Sequence, residues 1–354
     1  MNWKIYIPKI NFEKINQVSL FVLTRPFFIA TGWINDNNLK EKWGIKSSFE
    51  YTSSIKEANF VILPLPINWY YKNNKQIELE KINAECKQLN KKVYAIISGD
   101  FGRAYPELSN FFYYRMGGFK SQLTPKNSGF PVPLSDHFQR LYKTNDPIPN
   151  IKTEHPKIGF CGHASKDFSK RIKELVKCSF ENVKRFIENP LRKDWEPLFA
   201  SAYERRKLLN ALEKSTFLNC QFIYRKNYRG GAKTNQEREK TTLEYYDNLL
   251  KTDYVLCVRG AGNFSVRFYE ALMMGKIPIF VNTDCLLPLE DEIDWKKQVV
   301  WVEWKERHKI AEIVIDFHKK ISNEDFILLQ QSNRKIWKEK LTTSYYLDKI
   351  SNAF

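Results

Sequence analysis

The chain has 354 residues, of which 57 are Lys or Arg and 40 are Asp or Glu, so its formal net charge is +17. A hydrophobic fraction of 43%, with only 14 glycines and 15 prolines, excludes a disordered or fibrous chain, and the length suggests two domains. The charge indicates an anionic partner: a nucleic acid, acidic lipid head groups or a phosphorylated substrate.

The sequence contains no apolar run of the roughly 18 to 20 residues that a membrane-spanning helix needs, and its start lacks the pattern of a secretory signal. Six cysteines are scattered without metal-ligand spacing, which favours buried thiols in a reducing cytoplasm. The five histidines include no pair at ligand spacing, so we expect neither a metal nor a cofactor.

The predicted elements of the first half alternate between strands and a helix. Short β-branched or aromatic runs bounded by turn residues predict strands at 4–8, 20–24, 59–65 and 93–98. Apolar residues spaced among charges predict a surface helix over 76–91. Residues 141–156 carry three prolines with Asn, Asp and Thr, which is typical of a linker.

A second alternating series follows the linker. It predicts strands at 157–161, 217–224, 254–258, 277–281 and 298–302, helices at 168–188, 201–214, 237–250 and 263–274, and a mostly helical tail from residue 307. Strands that alternate with helices favour parallel sheets, so we expect two Rossmann-like domains facing a cleft. In such sheets ligands bind beyond the carboxyl ends of the strands.

The most informative turn follows the predicted strand 254–258. Arg259, Gly260 and Gly262 form a sharp basic turn directly before a predicted helix. Glycines let the backbone approach a ligand closely, and a helix start offers free N–H groups to a phosphate. Arg259 and Arg267 would add charge-assisted hydrogen bonds to phosphate oxygens.

The helix after this turn carries a polar stripe. Asn263, Arg267 and Glu270 stand at i, i+4 and i+7, which places them on one face. A cation for a diphosphate and a carboxylate for ribose hydroxyls suit a nucleotide site. The dinucleotide fingerprint is incomplete, since Ser265 stands where a third glycine belongs, and an ordinary strand–turn–helix explains the spacing equally well.

Two further basic glycine turns follow predicted strands. Gly162 and His163, with Arg171 close behind, follow strand 157–161 and would cap the other side of the same ligand. The loop around Arg229 combines four cations with two glycines, which suits an anion contact. A solvated loop is the plain alternative for both turns.

Asp100 is our candidate general base, because it follows an apolar strand in the first half. Its plain alternative is a carboxylate that caps the following turn. Asp136 and His137 form a weaker candidate pair. The sequence contains no nucleophile elbow, no P-loop and no Asp-x-Asp pair.

The segment 259–294 resembles the signature of the exostosin family, glycosyltransferase family 47. The matching motifs are Arg259-Gly260, Ser265-Val266-Arg267, Glu270-Ala271-Leu272, Gly275-Lys276-Ile277-Pro278-Ile279 and Leu287-Pro288-Leu289-Glu290-Asp291, with Phe160-Cys161-Gly162 and Arg171 further upstream. The resemblance covers roughly the last two hundred residues. The amino-terminal membrane anchor of the animal members is absent from this sequence, so we expect a soluble, bacterial-type form.

The resemblance implies a GT-B architecture, inversion at the anomeric carbon, a nucleotide-sugar donor that is usually a UDP-sugar, and no metal. It assigns Arg259 and Arg267 to the diphosphate, Glu270 to the ribose and Gly162 to the opposing turn. The expected organisation is an acceptor domain at 1–145, a linker at 146–156, a donor domain at 157–325 and a helical tail at 326–354.

We therefore predict a cytoplasmic enzyme of cell-surface polysaccharide biosynthesis that transfers a sugar to a glycan or lipid-linked glycan, with peripheral contact to the inner face of an anionic membrane. Asp100 would deprotonate the acceptor hydroxyl, with Asp136 and His137 as alternatives. A nucleic-acid-binding protein and a catalytically silent GT-B partner subunit are the competing hypotheses. The donor sugar, the linkage and the oligomeric state are left open by the sequence.

Overall fold

The computed structural model describes residues 2–10, 20–29, 32–33, 43–226 and 228–353. Contacts divide the chain into two compact units. The first consists of Met1–Pro133, Leu286–Leu289 and Glu339–Phe354, and the second of Leu134–Cys285 and Glu290–Lys338.

The first unit is built on a six-stranded parallel sheet in the order β4-β1-β5-β6-β7-β8. Its strands are β1 (Asn2–Tyr6), β4 (Ser48–Tyr51), β5 (Phe60–Ile62), β6 (Lys92–Ile97), β7 (Phe111–Arg115) and β8 (Asn127–Gly129), and a separate antiparallel pair is formed by β2 (Phe28–Ile29) and β3 (Gly32–Trp33). Among the described residues, the α-helices of this unit are α1 (Ile67–Lys72), α2 (Gln76–Gln88) and, from the end of the chain, α11 (Thr343–Asn352). The α3 helix (His137–Tyr142) comes next in the sequence and belongs to the second unit.

The predicted strand at 20–24 is wrong, because Val22–Phe27 forms a 3-10 helix. The amide and the hydroxyl of Thr24 both donate to the carbonyl of Phe21, which closes a turn. Pro26 has no N–H to donate to a sheet, so this segment does not extend as a central strand.

The second unit carries a five-stranded parallel sheet in the order β10-β9-β11-β12-β13. Its strands are β9 (Lys157–His163), β10 (Asn219–Arg225), β11 (Tyr254–Cys257), β12 (Ile277–Asn282) and β13 (Val300–Glu303). Its remaining helices are α4 (Phe168–Glu188), α5 (Ser201–Glu213), α6 (Asn235–Lys251), α7 (Val266–Met273), α8 (Trp295–Gln298), α9 (Ile310–Lys320) and α10 (Asn323–Lys340). The core lies between this sheet and α5, α9 and the start of α10, and every residue of β11 is buried.

The expected class of two α/β units with parallel sheets and a helical carboxyl-terminal segment is confirmed. The unit boundary differs from the predicted one, because residues 134–156 pack with the second unit. Arg334 on α10 explains this placement, since its guanidinium bonds both Asp136, at 2.6 Å, and Asp146, at 2.9 Å. Among the described residues, no helix is long and apolar enough to cross a membrane.

Candidate functional site

The carboxyl ends of β9, β10 and β11 meet at one edge of the second sheet because the three strands run parallel. The register pairs Gly162 with Tyr224 and His163 with Arg225. Helix α7 begins at this edge, after the connection 258–265 that follows β11. The edge therefore combines the end of β9 with a helix start, which is where parallel α/β sheets bind ligands.

Arg267 lies in the first turn of α7 and reaches back to β9. Its Nη2 atom donates to the carbonyl of Cys161 at 3.0 Å, and its guanidinium carbon lies 4.5 Å from the ring centroid of Phe160. A Cβ atom placed on Gly162 would lie 2.7 Å from Nη2 of Arg267, closer than atoms approach without moving. A glycine at position 162 thus lets this arginine lie against the strand.

Arg205 on α5 approaches the same strand end. Its Nη1 atom donates to the carbonyl of His163 at 2.7 Å. Burial, and then the positive charge of Arg267, lower the pKa of Arg205 to about 10. In the part of the chain that the structure describes, the buried Nε atoms of Arg205 and Arg267 have no hydrogen-bond partner. Against the effect of burial, Tyr245, Cys257 and Glu270 hold the pKa of Arg267 above its usual value. Two guanidiniums at one strand end, each with an unused donor, form a site suited to an anion.

Glu270 lies one turn after Arg267 on α7. Its carboxylate accepts hydrogen bonds from the hydroxyls of Tyr245, at 2.5 Å, and Tyr246, at 3.3 Å. Burial raises the pKa of Glu270, although both tyrosine hydrogen bonds and Arg267 favour the ionised form. We name Arg205, Arg267, Tyr245, Tyr246 and Glu270 the arginine–tyrosine cluster.

Arg259 has a different environment from the one predicted for a free phosphate ligand. It is 2% exposed, and its Nη2 atom donates to Glu196 at 2.5 Å and to the carbonyl of Ala261 at 2.8 Å. Glu196 also lies 3.8 Å from Arg185. The charge of Arg259 is therefore already balanced inside an ion-pair network that fixes the turn after β11.

The predicted start of the helix at residue 263 is corrected by the structure, because α7 begins at Val266 with Ser265 as its N-cap residue. Asn263 is buried, and its amide nitrogen donates to the carbonyls of Thr283, at 3.0 Å, and Asp284, at 2.9 Å. It therefore tethers the turn to the segment after β12 and does not share a helical face with Arg267 and Glu270. Gly260 and Gly262 lie in the same turn.

The other predicted binding residues are placed around this edge. His163 ends β9, and its Nδ1 atom lies 3.0 Å from the carbonyl of Arg225. Arg171, in the first turn of α4, lies with its guanidinium carbon 4.5 Å from the ring centroid of Tyr203. Arg229 falls in the 3-10 helix Tyr228–Gly231, and its side chain lies outside the described part of the structure.

The candidate bases are dispersed. Asp100 is exposed in the turn after β6, in the first unit. Asp136 caps α3 by accepting from the amide of Gln139 and is paired with Arg334, so its charge is engaged. His137 lies with its ring centroid 5.1 Å from that of Tyr246, and burial followed by the charge of Arg140 lowers its pKa. Its ring lies beside the arginine–tyrosine cluster, and its Nδ1 atom lies 3.1 Å from Nη2 of Arg140.

The sequence analysis missed Arg205, Tyr245, Tyr246 and Glu196. Their contacts with residues at the edge span 24 to 63 positions along the chain, which no local motif reports. The adjacent tyrosines of α6 are polar-tipped aromatics on a helix that follows a basic loop, and that is the one local signal they give. Within the described ranges, no three His, Cys, Asp or Glu side chains cluster as metal ligands would.

Residues 179–316, which contain most of this edge, match the family model of the Exostosin GT47 domain. Exostosin-1 of Drosophila melanogaster is 31% identical over 100 residues, covering 28% of this chain and 13% of that protein. A probable glucuronosyltransferase of Oryza sativa subsp. japonica is 34% identical over 70 residues, covering 20% of this chain and 17% of the relative.

A probable beta-1,4-xylosyltransferase of Arabidopsis thaliana is 34% identical over 62 residues, covering 18% of this chain and 15% of the relative. The matched segment thus spans between 13% and 17% of the length of these three relatives. A solved structure of TarM from S. aureus, in a complex that includes UDP, aligns with a TM-score of 0.38 and 13% identity over 83% of this chain and 54% of that chain.

Proposed function

Since residues 179–316 belong to the exostosin GT47 family, we propose that the chain is an inverting glycosyltransferase that moves a sugar from a UDP-sugar to a hydroxyl of a glycan acceptor. The observation that carries the proposal is the arginine–tyrosine cluster at the carboxyl edge of the second sheet. It joins two guanidiniums with unused Nε donors to a carboxylate one helical turn away.

The diphosphate of the donor would bind between Arg205 and Arg267. Each guanidinium is anchored by one hydrogen bond to a carbonyl at the end of β9, so its position is set before the ligand arrives. Preorganised cations stabilise the charge that develops as the nucleoside diphosphate departs, and this electrostatic contribution is generally the largest one in such a step. This arrangement supports a metal-independent reaction because arginine supplies the positive charge.

Glu270 would bind the ribose hydroxyls. Tyr245 and Tyr246 hold its carboxylate in place, and a carboxylate with two acceptor oxygens has capacity for further donors. A ribose diol offers two O–H donors, which a carboxylate accepts in a bidentate manner. Replacement of Glu270 by Ala removes both acceptors while leaving the guanidiniums in place.

Transfer would proceed by a single displacement at the anomeric carbon. A base removes the proton of the acceptor hydroxyl as its oxygen bonds to the anomeric carbon and the bond to the diphosphate breaks. Asp100 is our first candidate for this base, and His137 is the second because it is half-buried beside Tyr246. Asp136 is the weakest of the three, since Arg334 already binds its carboxylate.

The acceptor would be a glycan or a lipid-linked glycan of a cell-surface polysaccharide, modified in the cytoplasm at the inner face of the membrane. The net charge of +17 supports attraction to such an anionic surface. Relatives named as probable glucuronosyltransferase and xylosyltransferase make UDP-glucuronic acid and UDP-xylose the first donors to test.

A thermal-shift panel with UDP, GDP, CMP, NAD and a short oligonucleotide, each with and without a chelator, tests the donor site. A ligand at 100 times its dissociation constant adds about 2.7 kcal/mol of stability, which is readily visible. We expect stabilisation by UDP alone, unchanged by the chelator and lost in Arg267→Met, Arg205→Met and Glu270→Ala. Arg206→Met is the matched control, because Arg206 pairs with Glu213 and stacks on Tyr224.

Stabilisation by the oligonucleotide alone, with a steep dependence on salt, would replace the proposal with nucleic-acid binding. UDP binding without release of UDP from any UDP-sugar, in the presence of glycan acceptors, would instead favour the silent partner subunit. Loss of the UDP response in Arg206→Met as well as in the cluster variants would show that the effect is general charge and not a built site.

A further inference from the structure

Helix α4 turns its charged side toward the domain. Its fully buried residues include Glu181 and Arg185, which pair at 3.2 Å, and Arg185 also reaches Glu196 at 3.8 Å. Two turns before this pair, Glu174 accepts from the hydroxyl of Ser201 at 3.2 Å. The polar face of this amphipathic helix is therefore its inner face, the reverse of the usual arrangement on a globular domain.

The apolar side of α4 consequently faces solvent. Phe180 is 61% exposed and Ile187 is 75% exposed, and five more large apolar side chains are exposed on the same side. Those five are Phe168, Ile172, Val176, Val183 and Phe186. At 3.6 residues per turn these seven positions fall within a stripe about 120° wide along the 21-residue helix.

The segment after α4 extends this apolar surface. Leu191 is 86% exposed and Leu198 is 63% exposed, with Trp195 between them. We name the stripe and these three residues the α4 face. A contiguous exposed apolar surface of this kind on a protein of 43% hydrophobic composition marks an interaction site.

Lysines border the α4 face along one side. Lys173, Lys177 and Lys184 are exposed and follow the apolar stripe at its edge, and the ammonium of Lys184 lies 5.2 Å from the ring centroid of Phe180. The acidic residues of the helix are paired, since Glu174 and Glu181 are engaged on the inner side and Glu188 binds Arg192 at 3.1 Å. The exposed side of α4 thus joins an apolar surface to positive charge.

We infer that the α4 face docks on an anionic lipid bilayer, with the apolar stripe at the level of the acyl chains and the lysines among the head groups. A basic amphipathic helix with large apolar residues on one face is the form that interfacial membrane anchors take. A second copy of this chain is a poorer occupant, because an antiparallel two-fold contact through this face would bring two lysine edges together. The inference goes beyond the donor site, and it stands or falls independently of UDP binding.

Co-sedimentation of the full chain with vesicles of phosphatidylcholine, with and without phosphatidylserine, tests the inference. We expect binding to the vesicles that contain phosphatidylserine, and about tenfold or greater weakening in the double variant Phe180→Ser with Ile187→Ser. Both side chains are exposed, so this variant should fold normally. Leu328→Ser on α10 is the matched control, because Leu328 is an exposed leucine outside the α4 face.

The charge contribution is tested by changing Lys173, Lys177 and Lys184 to Gln, which should weaken binding by about fivefold for each charge removed. Equal binding of the Phe180→Ser, Ile187→Ser variant and the wild type would overturn the inference. A wild type that ignores both kinds of vesicle but is dimeric by light scattering, and monomeric in that variant, would assign the α4 face to a second copy. The UDP thermal shift is measured on the same variants, so a loss of UDP binding is distinguished from a loss of vesicle binding.

Discussion

Gly162→Ala is the sharpest perturbation of the donor site, because one methyl group acts on one guanidinium. The new Cβ would lie 2.7 Å from Nη2 of Arg267, whereas ordinary contacts begin at 3.4 Å. The guanidinium must therefore withdraw by about 1 Å. Its hydrogen bond to the carbonyl of Cys161, now 3.0 Å long, would be lost or bent.

The clashing atom is the far end of a flexible side chain, so the cost of this contact falls on ligand binding, while the φ of +158° at Gly162 adds a separate backbone strain that lowers Tm. A hydrogen bond to a charged group contributes about 1.5 to 3 kcal/mol, which corresponds to about a 10- to 150-fold change in dissociation constant. We expect the dissociation constant for UDP to rise about tenfold in Gly162→Ala and further in Arg267→Met. Isothermal titration calorimetry measures both, and Gly260→Ala, with nothing within 4 Å of its new Cβ, gives the Tm effect of a glycine-to-alanine change alone.

The double variant decides whether the methyl group acts through Arg267. If it does, Gly162→Ala combined with Arg267→Met should bind UDP no more weakly than Arg267→Met by itself, since coupled residues are not additive. Fully additive losses would refute the reasoning, because they would mean that the methyl group obstructs the ligand or the strand directly. An unchanged dissociation constant for UDP in Gly162→Ala would refute it as well.

Further predictions concern buried charges in the second unit. The Nζ atom of Lys276 is buried without a partner among the described residues, and burial lowers its pKa to about 8. Lys276→Met should therefore raise the free energy of unfolding by about 3 kcal/mol at pH 7, and this gain should vanish between pH 8 and about 10.4 as the unfolded wild type loses its proton, measured by urea denaturation. Arg259→Met should cost about 3 to 5 kcal/mol because it leaves Glu196 buried with less compensation, and Glu196→Gln in the same chain should recover part of that loss. Arg334→Met should lower Tm and increase proteolysis of the segment around Asp136, which the guanidinium now holds at 2.6 Å.

Local sequence signals were sufficient to predict most helices and strands of the second unit. The predicted helix at 168–188 has the observed bounds of α4, because Asp167 accepts from the amide of Ser169 and caps its start. The run that forms β11 is a short continuous apolar segment between polar residues, which is typical of a strand buried on both sides. The start and end of such elements can be predicted from their own residues.

The first unit was less predictable from sequence, since several of its strands depend on partners far along the chain. Strand β4 is nowhere fully buried and is held by its parallel pairing with β1, about 46 residues earlier. Strand β8 has three residues, two of them polar, and pairs only with β7 in the sheet. Short strands without an apolar run give no periodic signal, so their existence follows from the sheet and not from their own residues.

The arginines show the limit of motif spacing at the site. Arg259 and Arg267 looked equivalent in sequence, both close to the glycine turn. The structure separates them because Glu196, 63 positions from Arg259, balances one charge, while Arg267 lies at the end of β9 near Arg205 and Glu270. No local motif identifies Arg205, since its place in the site depends on the hydrogen bond that it donates from α5 to the carbonyl of His163. Which cation is available to a phosphate is thus decided by distant carboxylates.

The orientation of helix α4 is likewise decided by residues that are distant in sequence. Its pattern establishes that it has two faces, and the usual rule would place the apolar one inside. The ion pairs of Arg185 with Glu181 and Glu196 instead hold the charged face inward, and Glu196 in turn binds Arg259 beside the predicted donor site. The network that turns the apolar stripe outward therefore also fixes the glycine turn. A substitution that breaks it, such as Arg185→Met, should weaken vesicle binding and UDP binding together, whereas changes confined to the α4 face should affect only the vesicles.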